Sequence, residues 1–142
     1  LEVWADLYGI TKDEKYMKLA ERYSGNCVFD NLDKGGDALT NDHANAGIPL
    51  SHGAARMYEI TGDEKWKTRT ERFFKCAVTD RGTYATSGAN SGEFWVPPHQ
   101  LGHFLGASDQ EFCTVYNLVR TAWKKRKRKD IFHSGDINED KI

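Results

Sequence analysis

Apolar positions in the first half of the chain recur at three- and four-residue spacings, and they do so twice. Tyr16, Leu19, Ala20, Tyr23 and Cys27 form one stripe; Trp66, Phe73, Phe74 and Ala77 form another. That period predicts helices with one buried face each. The stripes belong to a longer repeat. Ala5-Asp6-Leu7-Tyr8-Gly9-Ile10-Thr11-Lys12-Asp13-Glu14-Lys15-Tyr16 returns as Ala55-Arg56-Met57-Tyr58-Glu59-Ile60-Thr61-Gly62-Asp63-Glu64-Lys65-Trp66, fifty positions later, and the register holds through Glu21-Arg22 and Glu71-Arg72. A fixed offset of this size marks a repeating supersecondary unit. Each copy reads as helix, tight turn, helix.

Boundary residues refine this reading. Thr11-x-x-Glu14 and Thr61-x-x-Glu64 have the form of capping boxes that would start the second helices, worth about 1 kcal/mol each. Asn45 is the expected N-cap of the first helix of copy two, with Pro49 in its opening turn. A further helix is expected from about Asp109 to Trp123, with Phe112, Val115, Tyr116, Val119 and Ala122 on one buried face. Hairpins of this kind bury their stripes against neighbouring hairpins, so the expected class is all-α: a solenoid or a closed α/α toroid. Between the second hairpin and the last helix, residues 80–108 lack periodicity and are rich in Gly, Ser and Asn, with Pro97-Pro98. A loop of that length in a compact domain is expected to carry function.

Composition narrows the possibilities. The chain has 142 residues, 39% of them hydrophobic and 12% aromatic, enough for one modest core. With 20 basic and 21 acidic residues the net charge is −1, so no bulk field favours nucleic acid or an anionic membrane. The apolar runs are too short to span a bilayer. The chain opens on Leu1-Glu2-Val3-Trp4, with no basic n-region of a signal peptide and no initiator methionine, so a fragment or a processed start is expected. Cys27, Cys76 and Cys113 are odd in number and share no metal-binding spacing, which favours a reducing, cytoplasmic setting. The run Lys124 to Lys129 is six consecutive cations, followed by an acidic end. Residues 124–142 are therefore expected to form a flexible basic-then-acidic tail after a structured unit at 1–123.

Three groups carry candidate chemistry. Glu93 follows a stretch of small residues and precedes Phe94 and Trp95, a setting that would stack a sugar ring and raise a carboxyl pKa as a general acid requires. The plain alternative is an exposed loop glutamate. Glu111 and Cys113 are both possible zinc donors. Residues two apart on a regular helix diverge, so joint ligation requires an irregular first turn, and Ser108-x-x-Glu111 would compete as a capping box. His43, before a helix, could hydrogen-bond a sugar hydroxyl. The remaining histidines lack metal-binding spacing, and no Gly-x-Ser-x-Gly nucleophile elbow occurs.

Several strings, taken in order, resemble glycoside hydrolase family 127, the β-L-arabinofuranosidase family. They are Asp37-Ala38-Leu39-Thr40, His43-Ala44-Asn45 with Ile48-Pro49, Ile60-Thr61-Gly62-Asp63, Tyr84-Ala85-Thr86 to Gly92-Glu93-Phe94, and Gln110-Glu111-Phe112-Cys113-Thr114-Val115-Tyr116-Asn117. The resemblance covers residues 1 to about 123 and implies part of an (α/α)6 toroid with a long irregular loop. It implies retaining hydrolysis, with Glu93 as acid/base, Glu111 and Cys113 as two zinc ligands, and His43 in the sugar subsite, where Trp95 would stack. The substrate it implies is an arabinose-containing oligosaccharide or glycoconjugate. In that family the cysteine nucleophile lies downstream of any string present here. Zinc is therefore expected in a full-length parent and incomplete or absent in this chain, which alone should be inactive. Exposed helix faces are expected to be covered by the remainder of a parent domain or by self-association. A non-catalytic helical-repeat or carbohydrate-binding module is the alternative, and a nucleic-acid partner for the basic run would show as a steep salt dependence.

Overall fold

The computed structural model describes residues 1–85, 88–109 and 111–133, with the side chains of Asn26 and residues 126–133 outside the description. Six α-helices dominate: α1 (Glu2–Thr11), α2 (Glu14–Arg22), α3 (Asn26–Asp33), α4 (Ala44–Thr61), α5 (Glu64–Phe74) and α6 (Phe112–His133). A π turn, Lys75–Thr79, continues α5, and a two-stranded hairpin, β1 (Asn90–Ser91) with β2 (Phe94–Trp95), projects from the long loop. Among the described residues no helix is long and apolar enough to cross a membrane.

The repeat forms two like hairpins, α1–α2 and α4–α5. In each, a tyrosine of the first helix donates to a glutamate of the second: Tyr8 to Glu14 at 3.3 Å and Tyr58 to Glu64 at 3.0 Å. The turns differ from the expected capping boxes. Thr11 and Thr61 end the first helices, and their hydroxyls donate back to Leu7 O and Met57 O, both at 2.7 Å. The N-caps are Asp13 and Asp63, which accept from Lys15 N and Lys65 N. The link between helices is too short for threonine to serve both; one left-handed residue separates it from the aspartate. That residue is Lys12 at φ 58° in one copy and Gly62 at φ 70° in the other. Only the second has no side-chain penalty there.

Three helices form a parallel layer. Asp6 with Arg56, and Gly9 against Ile60, align α1 with α4 in one direction. Asn45 with Asn117, and Ser51 with Thr121, align α4 with α6 likewise. A Cβ on Gly53 would stand 2.6 Å from the Leu1 side chain, so α1 and α4 meet where only glycine fits. The helices α2 and α5 run back outside this layer, enclosing Phe29, Ile48, Met57, Trp66 and Phe73.

The expected buried face of α6 is not the one that packs. Phe112 is 80% exposed, and Tyr116 and Val119 are also exposed, whereas Thr114, Leu118 and Thr121 are buried. The reason is the closeness of α4, which is met through short polar groups: Ser51 to Thr121 at 2.9 Å, Asn117 to Asn45 at 2.6 Å, and His52 Nε2 to Asn117 O at 2.9 Å. The helix α6 also runs past Trp123 to His133, so the basic run begins on a helix, where Lys124 pairs with Glu2 and Lys125 lies over Phe74. The acidic end, residues 134–142, lies outside the described residues.

These contacts have consequences for stability. Lys12→Gly should stabilise the chain by roughly 1 kcal/mol, read as a raised urea midpoint, because it removes left-handed strain at a turn whose twin already has glycine. His52 is 1% exposed, and burial lowers its pKa below the ordinary histidine value, aided by Arg120 and Lys124 and opposed by its bond to Asn117 and by Glu2. The unfolded chain then binds the proton more readily, so stability should fall as pH drops below about 6.5. His52→Gln should flatten that slope in thermal melts at successive pH values.

Candidate functional site

The chain between α3 and α4 is organised by Asp37. Its carboxylate accepts from Leu39 N at 3.0 Å, Thr40 N at 3.3 Å, the Thr40 hydroxyl and the Arg81 guanidinium. Burial opposes the charge, yet the bonds from Thr40, Arg81 and Leu39 N outweigh it and hold Asp37 well below the usual carboxylate range. From this knot the backbone turns through Asn41, at φ 67°, and pairs with β2 before entering the next helix. Asn41 N donates to Trp95 O at 3.1 Å, Trp95 N to Asp42 O at 3.0 Å, and Ala44 N to Glu93 O at 2.8 Å. His43 thereby stands opposite Phe94.

The β1–β2 turn delivers the carboxylate. Gly92 adopts φ 56°, the left-handed value that a two-residue hairpin turn needs, and Asn90 donates to its carbonyl at 2.6 Å. Glu93 then projects beside His43, with Nε2 to Oε2 at 3.3 Å. His43, not Asn45, is the N-cap of α4, which places Pro49 in the second turn: its Nδ1 accepts from Ala46 N at 3.4 Å. An accepting Nδ1 leaves the proton on Nε2, the ring nitrogen that faces Glu93. The side chains are 40% and 61% exposed. A pair so open to water adds little stability; its content is orientation.

The aromatic residues are arranged otherwise than expected. Trp95 is 1% exposed and lies in the core, with Arg81 over its ring, so it has no face to offer a sugar. Strand alternation explains this: β2 sends Trp95 inward and Phe94 outward. Phe94 is 51% exposed, 5.9 Å from the His43 ring. The drier setting expected around Glu93 is accordingly not formed by these rings.

Glu111 directly precedes α6, and its carbonyl accepts from Thr114 N at 3.1 Å and Val115 N at 3.4 Å. It is thus the residue from which the helix starts, the irregular position that lets it meet Cys113. The Ser108 box does not form; Asp109 takes Gly106 N instead. Burial raises the Cys113 pKa, and the neighbouring Glu111 carboxylate raises it further. Glu111 Oε2 is buried without a hydrogen-bond partner. An orphaned carboxylate oxygen beside a thiol suits zinc, which takes both donor types. Among the described residues no group of three or more metal-binding side chains occurs, so the pair offers two donors of a tetrahedral set.

The two groups share one end of the helix layer. Asn117, one turn beyond Cys113, bonds Asn45, two residues beyond His43. The parallel course of α4 and α6 puts both N-termini there. Sequence reading offered Phe94 together with Trp95 as the stacking ring, but assigned no role to Asp37, Thr40 or Arg81; only the Asp-x-x-Thr spacing at residues 37–40 signalled a local turn. Behind this end lies a cavity of about 660 Å³ lined by Asp33, Gly36, Arg72, Cys76, Asp80 and His99. Its Arg72 and the adjoining Lys75 are paired with Asp33 and Asp80. Burial pushes the Cys76 thiol up despite Arg81 beside it, and Cys27 is exposed.

A family model described as beta-L-arabinofuranosidase, GH127 catalytic domain, matches residues 2–126. No curated protein matches the chain. A helical-hairpin chain carrying an acid–imidazole pair at one end of its layer is, on this match, glycoside hydrolase-like. More narrowly, the chain belongs to glycoside hydrolase family 127, the β-L-arabinofuranosidase family.

Proposed function

We propose that this chain supplies the proton-transfer half and the sugar-contacting face of a retaining β-L-arabinofuranosidase site. The observation that carries the reading is the 3.3 Å contact between His43 Nε2 and Glu93 Oε2, on side chains fixed by a helix cap and a glycine turn. Glu93 gives its proton to the departing glycosidic oxygen and later takes one from the water that releases the sugar. His43, whose Nε2 lies 3.3 Å from the Glu93 carboxylate, orients that carboxylate and donates to a sugar hydroxyl once substrate arrives. Phe94 presents the exposed ring against which a furanose face packs.

Glu111 and Cys113 are the residues that would hold zinc. When bound, zinc keeps cysteine sulfur as thiolate, the reactive form. Without it, burial and the Glu111 carboxylate keep Cys113 protonated. None of the family strings present here carries the cysteine nucleophile, so the purified chain is expected to release no arabinose from an aryl β-L-arabinofuranoside, and measurable release would contradict that.

Binding is the direct test. Titration of the chain with methyl β-L-arabinofuranoside should move the NMR signals of His43 and Phe94. A cationic iminosugar of the same configuration mimics the charge of the transition state. It should bind at least about tenfold tighter than the arabinoside, roughly 1.4 kcal/mol, and Glu93→Gln should abolish that difference while leaving arabinoside affinity in place. Signals that move elsewhere, or an iminosugar preference that survives Glu93→Gln, would end the reading.

A further inference from the structure

Arg81 lies in the long loop, far in sequence from His43 and separated from Glu93 by the loop and β1, yet its guanidinium is 0% exposed. All three of its nitrogens are engaged. Nε donates to Val96 O at 2.8 Å; Nη1 donates to Cys76 O at 2.5 Å and to Cys76 Sγ at 3.1 Å; Nη2 donates to Asp37 Oδ1 at 2.5 Å and to Thr40 Oγ1 at 3.0 Å. Its guanidinium carbon lies over the buried Trp95 ring, 5.8 Å from the centroid. One side chain therefore ties together the π turn after α5, the segment leading to α4, and the strand leaving the β-hairpin.

The placement relative to the site pair is symmetrical. Thr40 is three residues before His43, and Val96 is three residues after Glu93. Between these anchors the two backbones are zipped by the hydrogen bonds that link Asn41, Asp42 and Ala44 to Trp95 and Glu93. The arrangement is a short two-stranded finger with the acid–imidazole pair at its tip and the guanidinium clamped across its base. Arginine's planar, fixed fork meets this demand, whereas a lysine ammonium keeps the charge but cannot reach carbonyls and a carboxylate in three directions at once. The location also explains a buried charge that the core does not need, since Arg81 has an aspartate partner and a full set of acceptors.

We propose that Arg81 is the positioning residue for the His43–Glu93 pair, setting the register of the two segments that carry them. It touches neither substrate nor reacting atoms, and its role rests on the reading of that pair as the working one. Loss of the clamp lets the finger shift, and the pair separates while the helix layer stays intact.

The test is a coupling measurement on the whole 142-residue chain by NMR. In the unsubstituted background Glu93→Gln should shift the His43 ring resonances, because the group 3.3 Å from Nε2 loses its charge. In the Arg81→Lys and Arg81→Met backgrounds the same substitution should lose at least half of that shift, with Arg81→Met losing more. The His52 ring signals, which report the contact between α4 and α6, should stay where they are. A merely structural arginine would move His52 or leave the coupling whole. Undiminished coupling in a folded Arg81 variant overturns the proposal. If neither Arg81 variant folds, Thr40→Val decides it: the expected result is a partial loss of coupling, and none would overturn the role. Arabinoside titration of the unsubstituted chain keeps the two readings apart. Normal sugar binding with undiminished coupling in the variants sinks the positioning role alone; absent sugar binding sinks the functional reading, while the coupling still decides what Arg81 does.

Discussion

The structure turns on how closely α1 and α6 approach α4. That helix is buried along most of its length, from Ala44 and Ile48 through Ser51, His52, Gly53, Ala54 and Ala55 to Met57 and Tyr58. Its middle consists of small residues, so neighbours reach its backbone instead of resting on long side chains. Dense packing of this kind forfeits little contact energy to voids. It also fixes the parallel course of the layer, and with it the shared end at which two helix N-termini meet. Every candidate residue is placed by that end: His43 caps α4, Glu111 opens α6, and the amide pair Asn45–Asn117 holds the two together.

The helical repeat was readable in the sequence because hydrophobic spacing survives any choice of side chain within a class. Its details were less so. The capping boxes at Thr11 and Thr61 failed because aspartate two residues later competes for the same role, and a two-residue link leaves threonine at the end of the preceding helix. The face of α6 was misassigned for a different reason. Apolar periodicity identifies a stripe that would gain from burial, but the contact with α4 is so close that hydroxyls and amides fill it, leaving Phe112, Tyr116 and Val119 outside.

The site was legible unevenly. Glu93 and His43 could be singled out, but only the folded chain brings residues fifty positions apart within 3.3 Å. Trp95 looked like the ring for a sugar because large aromatics are the usual stacking surface; strand alternation turned it inward and left Phe94 as the exposed ring. Arg81 carried no signal at all. Two of its acceptors are main-chain carbonyls, which any sequence provides, and its carboxylate partner Asp37 lies forty-four positions away. A clamp built from backbone and distant partners leaves no trace in local pattern.

The twin hairpins give the molecule a built-in reference. The tyrosine-to-glutamate bond is made once at an exposed location, by Tyr8, and once at a partly buried one, by Tyr58. The same donor, acceptor and sequence separation thus occur in two surroundings within a single chain. Any difference in strength between the two bonds reports withdrawal from water together with Lys67, whose ammonium pairs with Glu64 at 3.0 Å and lies over the Tyr58 ring.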